Sequence, residues 1–328
     1  MVAQAAQPNS TFSGLRPLSL SRDLISVADL IAQAFADDMD DSGRAAVREM
    51  RLLGRLSFIF SWLDVFEPQG EGLLPGFVWI EENKVVGNAT VRRLNAYTRG
   101  WMIGNVAVKL EWRGRGIARS LMNGCIDLSR QRSADWVALQ VRSDNAIARR
   151  LYESMGFRPI GETIELVRTG SDRPAPPERS RVGLLRTAQR RDTPALFKLA
   201  QAAQPDAMRW IEPQYRSQFE VGLDQRLGDF LSGTWAKMKV IEIDQDIIGA
   251  ASIKMNRRTR TGRLGVWATP AYRGQVEQTL VDAVLSEVPA STRSITARIA
   301  GDHIEGCDAL LSRRFTTLRR LTTMRLDL

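Results

Sequence analysis

The chain is poor in the residues that build most metal and nucleophile sites. Its 328 residues include one histidine, His303, and two cysteines, Cys125 and Cys307. A single histidine excludes a His-rich metal centre and any Ser–His or Cys–His pair that does not use His303. Two cysteines far apart in sequence, with no CxxC, make no disulfide framework. All three read more simply as packing or surface residues, and no metal is expected. Long apolar runs are also missing. The longest candidate, residues 56–66, is short of the roughly 18 residues that cross a bilayer and is interrupted by Ser61 and Asp64, so no membrane partner is expected. The opening residues, MVAQAAQPNSTFSG, lack a basic stretch followed by an apolar run; no signal peptide is expected, and a cytoplasmic location follows.

What is present is a soluble composition, 44% hydrophobic and 25% charged, in a length that suits two domains better than one. The net charge of +9 is uneven: residues 1–173 carry 22 basic and 20 acidic groups, residues 174–328 carry 24 and 17. A basic half is compatible with nucleic acid. No basic tract interleaved with aromatics occurs, however, and Arg257-Arg258-Thr259-Arg260 reads as a short hairpin loop. Nucleic acid is therefore disfavoured as a partner.

Residues 169–181, TGSDRPAPPERSR, are polar, proline-rich and without periodicity, which marks a linker. The same order of elements reads on both sides of it. Before it, periodicity predicts a strand at 14–20, helices at 24–35 and 42–56, and a hairpin of 76–80 with 85–92. A strand at 101–108, a helix at 116–130, a strand at 136–141, a helix at 145–154 and a strand at 157–167 follow. After it come a strand at 182–186, a helix at 194–203 and a hairpin of 238–243 with 247–255. Then follow a strand at 263–268, a helix at 275–288, a strand at 295–299, a helix at 304–313 and a strand at 315–326. Three sequence matches support a duplication. Glu82-Asn83-Lys84-Val85-Val86-Gly87 matches Asp244-Gln245-Asp246-Ile247-Ile248-Gly249 at an offset of 162; Arg113-Gly114 matches Arg273-Gly274 at 160; Phe157 matches Phe315 at 158. The expected fold class is mixed α/β, in layers. The expected organisation is a flexible 1–13, a first domain over 14–168, the linker 169–181 and a second domain over 182–328.

Chemistry concentrates in Glu111-Trp112-Arg113-Gly114-Arg115-Gly116-Ile117-Ala118-Arg119. A strand, two glycines and a helix start bring several unpaired N–H groups to the positive end of a helix dipole, which makes a cradle for an anion such as phosphate. Arg113 and Arg115 are placed to add charge-assisted contacts. A P-loop is excluded, because Gly116 is followed by Ile117 rather than Lys-Ser/Thr. A dinucleotide fingerprint is excluded too, since position 119 is arginine and Asp135 lies at the wrong end of the next strand.

Val106-Ala107-Val108 followed by Arg113-Gly114-Arg115-Gly116-Ile117-Ala118 resembles the acyl-CoA motif of the GNAT N-acetyltransferases. Asn145-Ala146-Ile147-Ala148-Arg149-Arg150-Leu151-Tyr152-Glu153-Ser154-Met155-Gly156-Phe157 resembles that family's second signature. The resemblance covers about residues 101–160, and the element order extends it over 14–168. It implies two GNAT-like domains, each a largely antiparallel twisted sheet flanked by helices, with acetyl-CoA or another acyl-CoA as co-substrate. It further implies that Val106, Ala107 and Val108 pair with the pantetheine arm. Arg113, Gly114, Arg115, Gly116, Ile117 and Ala118 hold the pyrophosphate, and Asn145 touches the pantetheine region. Tyr152 stands near the sulfur as general acid, and an N–H near Val108 polarises the thioester oxygen. The plainer role for Tyr152 is core packing.

Some relatives carry a basic glutamate where this chain has Gln140, in Leu139-Gln140-Val141-Arg142. Glu81, Glu82 or a water chain are the substitutes. In the second half the motif reads Arg273-Gly274-Gln275-Val276-Glu277-Gln278, with Leu310 or Leu311 in the tyrosine's place. Val276 for the second glycine and the added charge of Glu277 predict little or no acyl-CoA binding there. The tandem layout is similar to that of mycothiol synthases, whose competent half is the C-terminal one, so that function is not adopted. The expected activity is direct acyl transfer to an amine of a small molecule or peptide. The rival is a non-catalytic acyl-CoA sensor. Residues 58–74 are a candidate acceptor wall, and a homodimer is left open.

Overall fold

Both hairpins turn on pairs of residues with positive φ: Glu82 (47°) and Asn83 (62°) in the first half, Asp244 (47°) and Gln245 (70°) in the second. Two left-handed residues in a two-residue turn match the twist of the flanking strands. In the computed structural model the described residues are 12–36, 44, 47–52, 75–94, 98–170, 174, 177, 180, 182–211, 213–220 and 233–328. The expected helix at 42–56 is described only in part, helical at 47–52, and the 58–74 segment lies outside these residues. The chain divides into two compact units that are not contiguous in sequence. The first comprises Met1–Leu139, Leu151–Arg158 and Arg325–Leu328, the second Gln140–Arg150 and Pro159–Met324.

In the first unit β1 (Gly14–Pro17), β2 (Gly76–Glu81), β3 (Lys84–Arg93) and β4 (Gly100–Val108) pair antiparallel in that order. β4 then pairs in parallel with the start of β5 (Trp136–Arg142). Helix α1 (Leu20–Ala34) buries Leu24, Val27, Ala28, Leu30 and Ile31, an apolar stripe at helical spacing that packs on Val78, Ile80, Val85 and Ala107. Helix α2 (Ile117–Gln131) buries Ile117, Leu121, Met122, Cys125 and Ile126. It approaches β3 so closely that a Cβ on Gly87 would come within 3.0 Å of both Ile117 and Leu121. Helix α3 (Ala146–Ser154), of which Leu151–Ser154 belongs to this unit, ends beside Gly156, whose φ of 91° reverses the chain. The C-terminal residues also belong to this unit: Leu328 N–H donates to the Asp135 carbonyl at 3.0 Å, and the Arg325 guanidinium lies 4.8 Å from the Trp136 ring centre.

The second unit repeats this order. After β6 (Arg158–Thr169), β7 (Leu184–Thr187), β8 (Thr234–Ile243), β9 (Asp246–Asn256) and β10 (Thr261–Ala268) pair antiparallel in turn. β10 pairs in parallel with β11 (Ser294–Ala300). Helix α4 (Thr193–Ala202) contributes Leu196, Leu199 and Ala200 to the core on one face. Helix α5 (Glu277–Leu285) and helix α6 (Ile304–Leu311) contribute Leu280, Val281, Val284, Leu285, Cys307 and Leu310 to the core that includes Ile253, Leu264 and Ile299. β6, last of the first repeat in chain order, pairs antiparallel with β11 over 163–169 within this unit. β12 (Thr316–Asp327) ends the chain. Each unit is thus a mostly antiparallel sheet with helices packed on it, in the expected mixed α/β class. Residues 257–260 form the turn between β9 and β10, as read from the sequence.

The duplication also reaches side chains that the sequence comparison did not pair. Arg16 grips Asp23 through two nitrogens, each at 2.7 Å, while Asp23 accepts the Ser19 N–H at 2.9 Å. Arg186 does the same to Asp192, at 2.6 and 2.9 Å, while Asp192 accepts the Gln189 N–H at 2.7 Å. Each pair bolts the first strand of its repeat to the helix that follows, with the carboxylate satisfying an orphan N–H. Burial works against the Asp192 charge, but Arg186, the Gln189 N–H and Arg191 together hold its carboxyl below the usual carboxylate range.

Candidate functional site

β4 and the turn into α2 supply a row of backbone donors. Gly114 and Gly116 take φ of 78° and 79°, a conformation open to glycine at no steric cost. A Cβ added at either would meet nothing within 4 Å, so the turn faces open space. The first helical backbone bond of α2 runs from Ser120 N–H to the Gly116 carbonyl, at 3.1 Å. Among the described residues the N–H groups of 114–119 donate to no protein acceptor. They lie at the positive end of a 15-residue helix. Arg113 does not add its Nε to this cradle: Nε donates to the Val108 carbonyl at 3.1 Å and fastens the turn to β4. Arg115 lays its guanidinium 4.4 Å from the Trp112 ring centre and donates to the Glu111 carbonyl at 3.3 Å.

β4 itself is irregular where it meets this turn. Its pairing with β5 is confined to Gly100–Ile103; from Gly104 to Val108 that edge has no strand partner among the described residues. On the other side the register with β3 shifts between Asn88 and Thr90, and Asn105 takes φ of 53°, a β-bulge. A chain of amides and hydroxyls pins it. The buried Asn88 donates to the Asn105 carbonyl, Asn105 donates to Thr90 Oγ1, and Thr90 donates to the Gly104 carbonyl, each at 3.1 Å. Asn88 Oδ1 is buried without a hydrogen-bond partner. The sequence reading missed this network. An asparagine amid the hydrophobic β3 was its only visible sign.

Tyr152 stands near the end of α3, 7% exposed, its ring tilted against Phe157 at 6.1 Å between centres. Burial pushes its phenol up to about 12 from 10.0, so it carries its proton across the neutral range. The end of α3 is tied to the start of α2 by Arg119 Nη2 donating to Ser154 Oγ at 2.7 Å. Val106–Val108, Arg113–Ala118 and Tyr152 therefore all belong to the first unit. Asn145 belongs to the second unit, where it is exposed and caps α3: its Oδ1 accepts the Ala148 N–H at 3.0 Å. Gln140, also in the second unit, donates to Thr323 Oγ1 at 3.4 Å.

The two proposed base substitutes fare poorly. Hydrogen bonds from Trp79 and Ser13, aided by the Arg115 charge, hold the Glu81 carboxyl below its ordinary value, which disfavours proton uptake. Glu82 is exposed in the hairpin turn. The structure also corrects the place of Val276. It does not replace Gly116; it is fully buried and has right-handed helical dihedrals. Its side chain meets Gly249 as Ile117 meets Gly87. The second turn is one residue shorter, and the missing residue is the second glycine.

Among the described residues no group of three or more His, Cys, Asp or Glu is arranged to hold a metal ion. No helix among them is long and apolar enough to cross a membrane.

The sequence profile of the acetyltransferase (GNAT) family matches residues 44–157, which include the β4–α2 turn and Tyr152. A mycothiol acetyltransferase of Beutenbergia cavernae is 33% identical over 132 residues, 40% of either chain; the match therefore spans well under half of that relative. Among solved structures, a GCN5-related N-acetyltransferase from Sphaerobacter thermophilus superposes with a TM-score of 0.64 at 18% identity, over 95% of both chains. A tandem GNAT protein from the clavulanic acid biosynthesis pathway superposes with a TM-score of 0.54 at 17% identity, over 95% of this chain and 98% of that one. At such identities the two structures speak to fold, and they carry the likeness across both repeats. Residues 44–157 thus match the GNAT acetyltransferase family, and the fold of the chain is like that of solved GNAT proteins.

Proposed function

We propose that this protein transfers an acetyl group from acetyl-CoA to an amine of a small molecule or peptide, and that its first unit holds the co-substrate. One observation carries the reading: a row of N–H groups, unpaired among the described residues, at the end of a strand whose edge has no strand partner among them either. The residues fit the co-substrate. The free edge of β4 at Val106, Ala107 and Val108 suits an added extended arm. The N–H groups of Gly114, Arg115, Gly116, Ile117 and Ala118 suit a pyrophosphate, and the open space over both glycines leaves room for it. Within this reading Asn145, as cap of α3, orients the helix that carries Tyr152.

Acetyl-CoA supplies a thioester carbonyl and a thiolate leaving group. The chain's part is to place and to protonate. The bulge at Asn105 aims the N–H groups that follow it toward the developing charge on the carbonyl oxygen. Tyr152 keeps its proton at neutral pH and gives it to the departing sulfur. Gln140 cannot take a proton, so the acceptor attacks as the neutral amine, the N–H proton released as the C–N bond forms passes to solvent, and the Tyr152 phenolate is reprotonated from solvent. We read residues 14–168 and 182–328 as two copies of one ancestral domain joined by 169–181, acting in the cytoplasm. The test is release of free thiol from acetyl-CoA, followed with a panel of small amines and N-terminal peptides. Turnover with any of them supports the reading. Tight binding of acetyl-CoA with no turnover across the panel would favour the sensor instead.

A further inference from the structure

The two repeats differ in the places where the first presents its donors. β4 and β10 stay in step up to Gly104 and Gly265, which face the equivalent residues Thr90 and Ser252. They are in step again at Val108 and Ala268, which face Gly87 and Gly249. Between those points β4 has Asn105, Val106 and Ala107, and β10 has only Val266 and Trp267. The residue lost is the bulge, and β10 pairs with β9 without a register shift. The following turn has lost the glycine at 116. These two deletions, each of one residue, account for two of the four residues by which the offset between repeats falls along the chain, from 162 to 158.

Glu277 follows Val276 directly, where the first unit has Ala118 after Ile117. It is 1% exposed. Its Oε2 accepts the N–H of Gly274 at 2.8 Å and that of Val276 at 3.2 Å. Its Oε1 lies 2.8 Å from Nε2 of His303, itself 2% exposed. The N–H groups that correspond to those of Gly114 and Ile117 are therefore already spent on a carboxylate, and the chain's one histidine completes the shell. Arg273, the counterpart of Arg113, is turned to the Asp302 carbonyl at 3.2 Å and its carboxylate at 3.4 Å, and to the Ala203 carbonyl at 3.4 Å. Glu305 Cγ lies 3.5 Å from where a Cβ on Gly274 would stand. A buried carboxylate with this many donors is satisfied and stable, while an external phosphate here would meet three acidic side chains.

We infer that the second unit keeps the anion cradle of the fold but fills it from within, the Glu277 carboxylate standing where a phosphate would lie. The structure thus assigns His303 a positioning role on Glu277. The carboxylate is part of the unit's core, and among the described residues a single such cradle is left open to external anions. This deepens the reading of the first unit as the acetyl-CoA site, yet its test does not depend on turnover.

The test uses the full chain with the first cradle blocked by Gly116→Glu, and inorganic pyrophosphate as probe. In that background pyrophosphate should leave the unfolding temperature unchanged. With Glu277→Gly added, the unfolding temperature should drop, and pyrophosphate should recover part of the loss. A folded double variant that ignores pyrophosphate would overturn the inference. Should the double variant not fold, Glu277→Gln alone decides. Its amide retains one acceptor oxygen, so it should fold with a lowered unfolding temperature, and an unchanged temperature would overturn the inference. Acetyl-CoA binding to the otherwise wild-type chain separates the two readings. Two equivalents per chain contradict the filled cradle, whereas no binding contradicts the proposed function and leaves the pyrophosphate experiment to stand alone.

Discussion

Replacing Tyr152 by phenylalanine separates its chemical role from its packing role. The ring is buried against Phe157, and among the described residues its hydroxyl has no protein hydrogen-bond partner. Removing the oxygen leaves no donor or acceptor stranded and opens no sizeable cavity. The stability change should stay within about 1 kcal/mol. The loss of a positioned proton donor costs about 10²–10⁴-fold in rate, about 3–5 kcal/mol of barrier. It should fall on kcat, with the KM for acetyl-CoA little changed. Thiol release under saturating acetyl-CoA measures it directly. The wild-type rate should show no descending limb from this phenol at mildly alkaline pH, because burial holds it up to about 12. The same shift bears on stability. The folded form keeps a proton that the unfolded chain gives up near the ordinary value of 10.0. This contribution is therefore complete below pH 10 and is lost as pH rises toward 12. A Tyr152→Phe enzyme with near-native kcat would refute the assignment and return Tyr152 to the core.

Two further perturbations follow from the same geometry. Asn88→Ala removes the donor that pins the Asn105 carbonyl; it should cost about 1–2 kcal/mol of stability and speed amide hydrogen exchange over 105–108 if the bulge depends on it. Unchanged exchange there would mean the bulge holds itself. Asp192, held below the usual carboxylate range, contributes stability that is present above the ordinary carboxylate pKa and lost as pH falls through its folded value. Asp192→Ala should therefore flatten the acid limb of the unfolding-temperature profile, and an acid limb identical to wild type would contradict this.

Much of this architecture is legible in the residues because local chemistry dictates it. Glu82-Asn83 and Asp244-Gln245 announce their turns, and the glycines at 114 and 116 announce theirs. What the sequence hides is governed by partners distant in the chain. Strand alternation in 158–169 says which residues share a face, not that β11 is the neighbour. Arg16 and Asp23, or Arg186 and Asp192, are ordinary charges until the fold brings them together. Val276 looked like a replaced glycine because a deletion of one residue and a substitution read alike until packing against Gly249 fixes the register. The bulge at Asn105 left the same ambiguity, as a falling offset with no visible place for the gap.

We propose that one cradle, in the first unit, holds acetyl-CoA. Calorimetric titration of acetyl-CoA into the wild-type chain and into Gly116→Glu tests it most directly. One site per chain is expected in the wild type, lost in the variant as a carboxylate enters the N–H row. Undiminished binding in a folded Gly116→Glu protein would contradict it, because the co-substrate would then lie elsewhere.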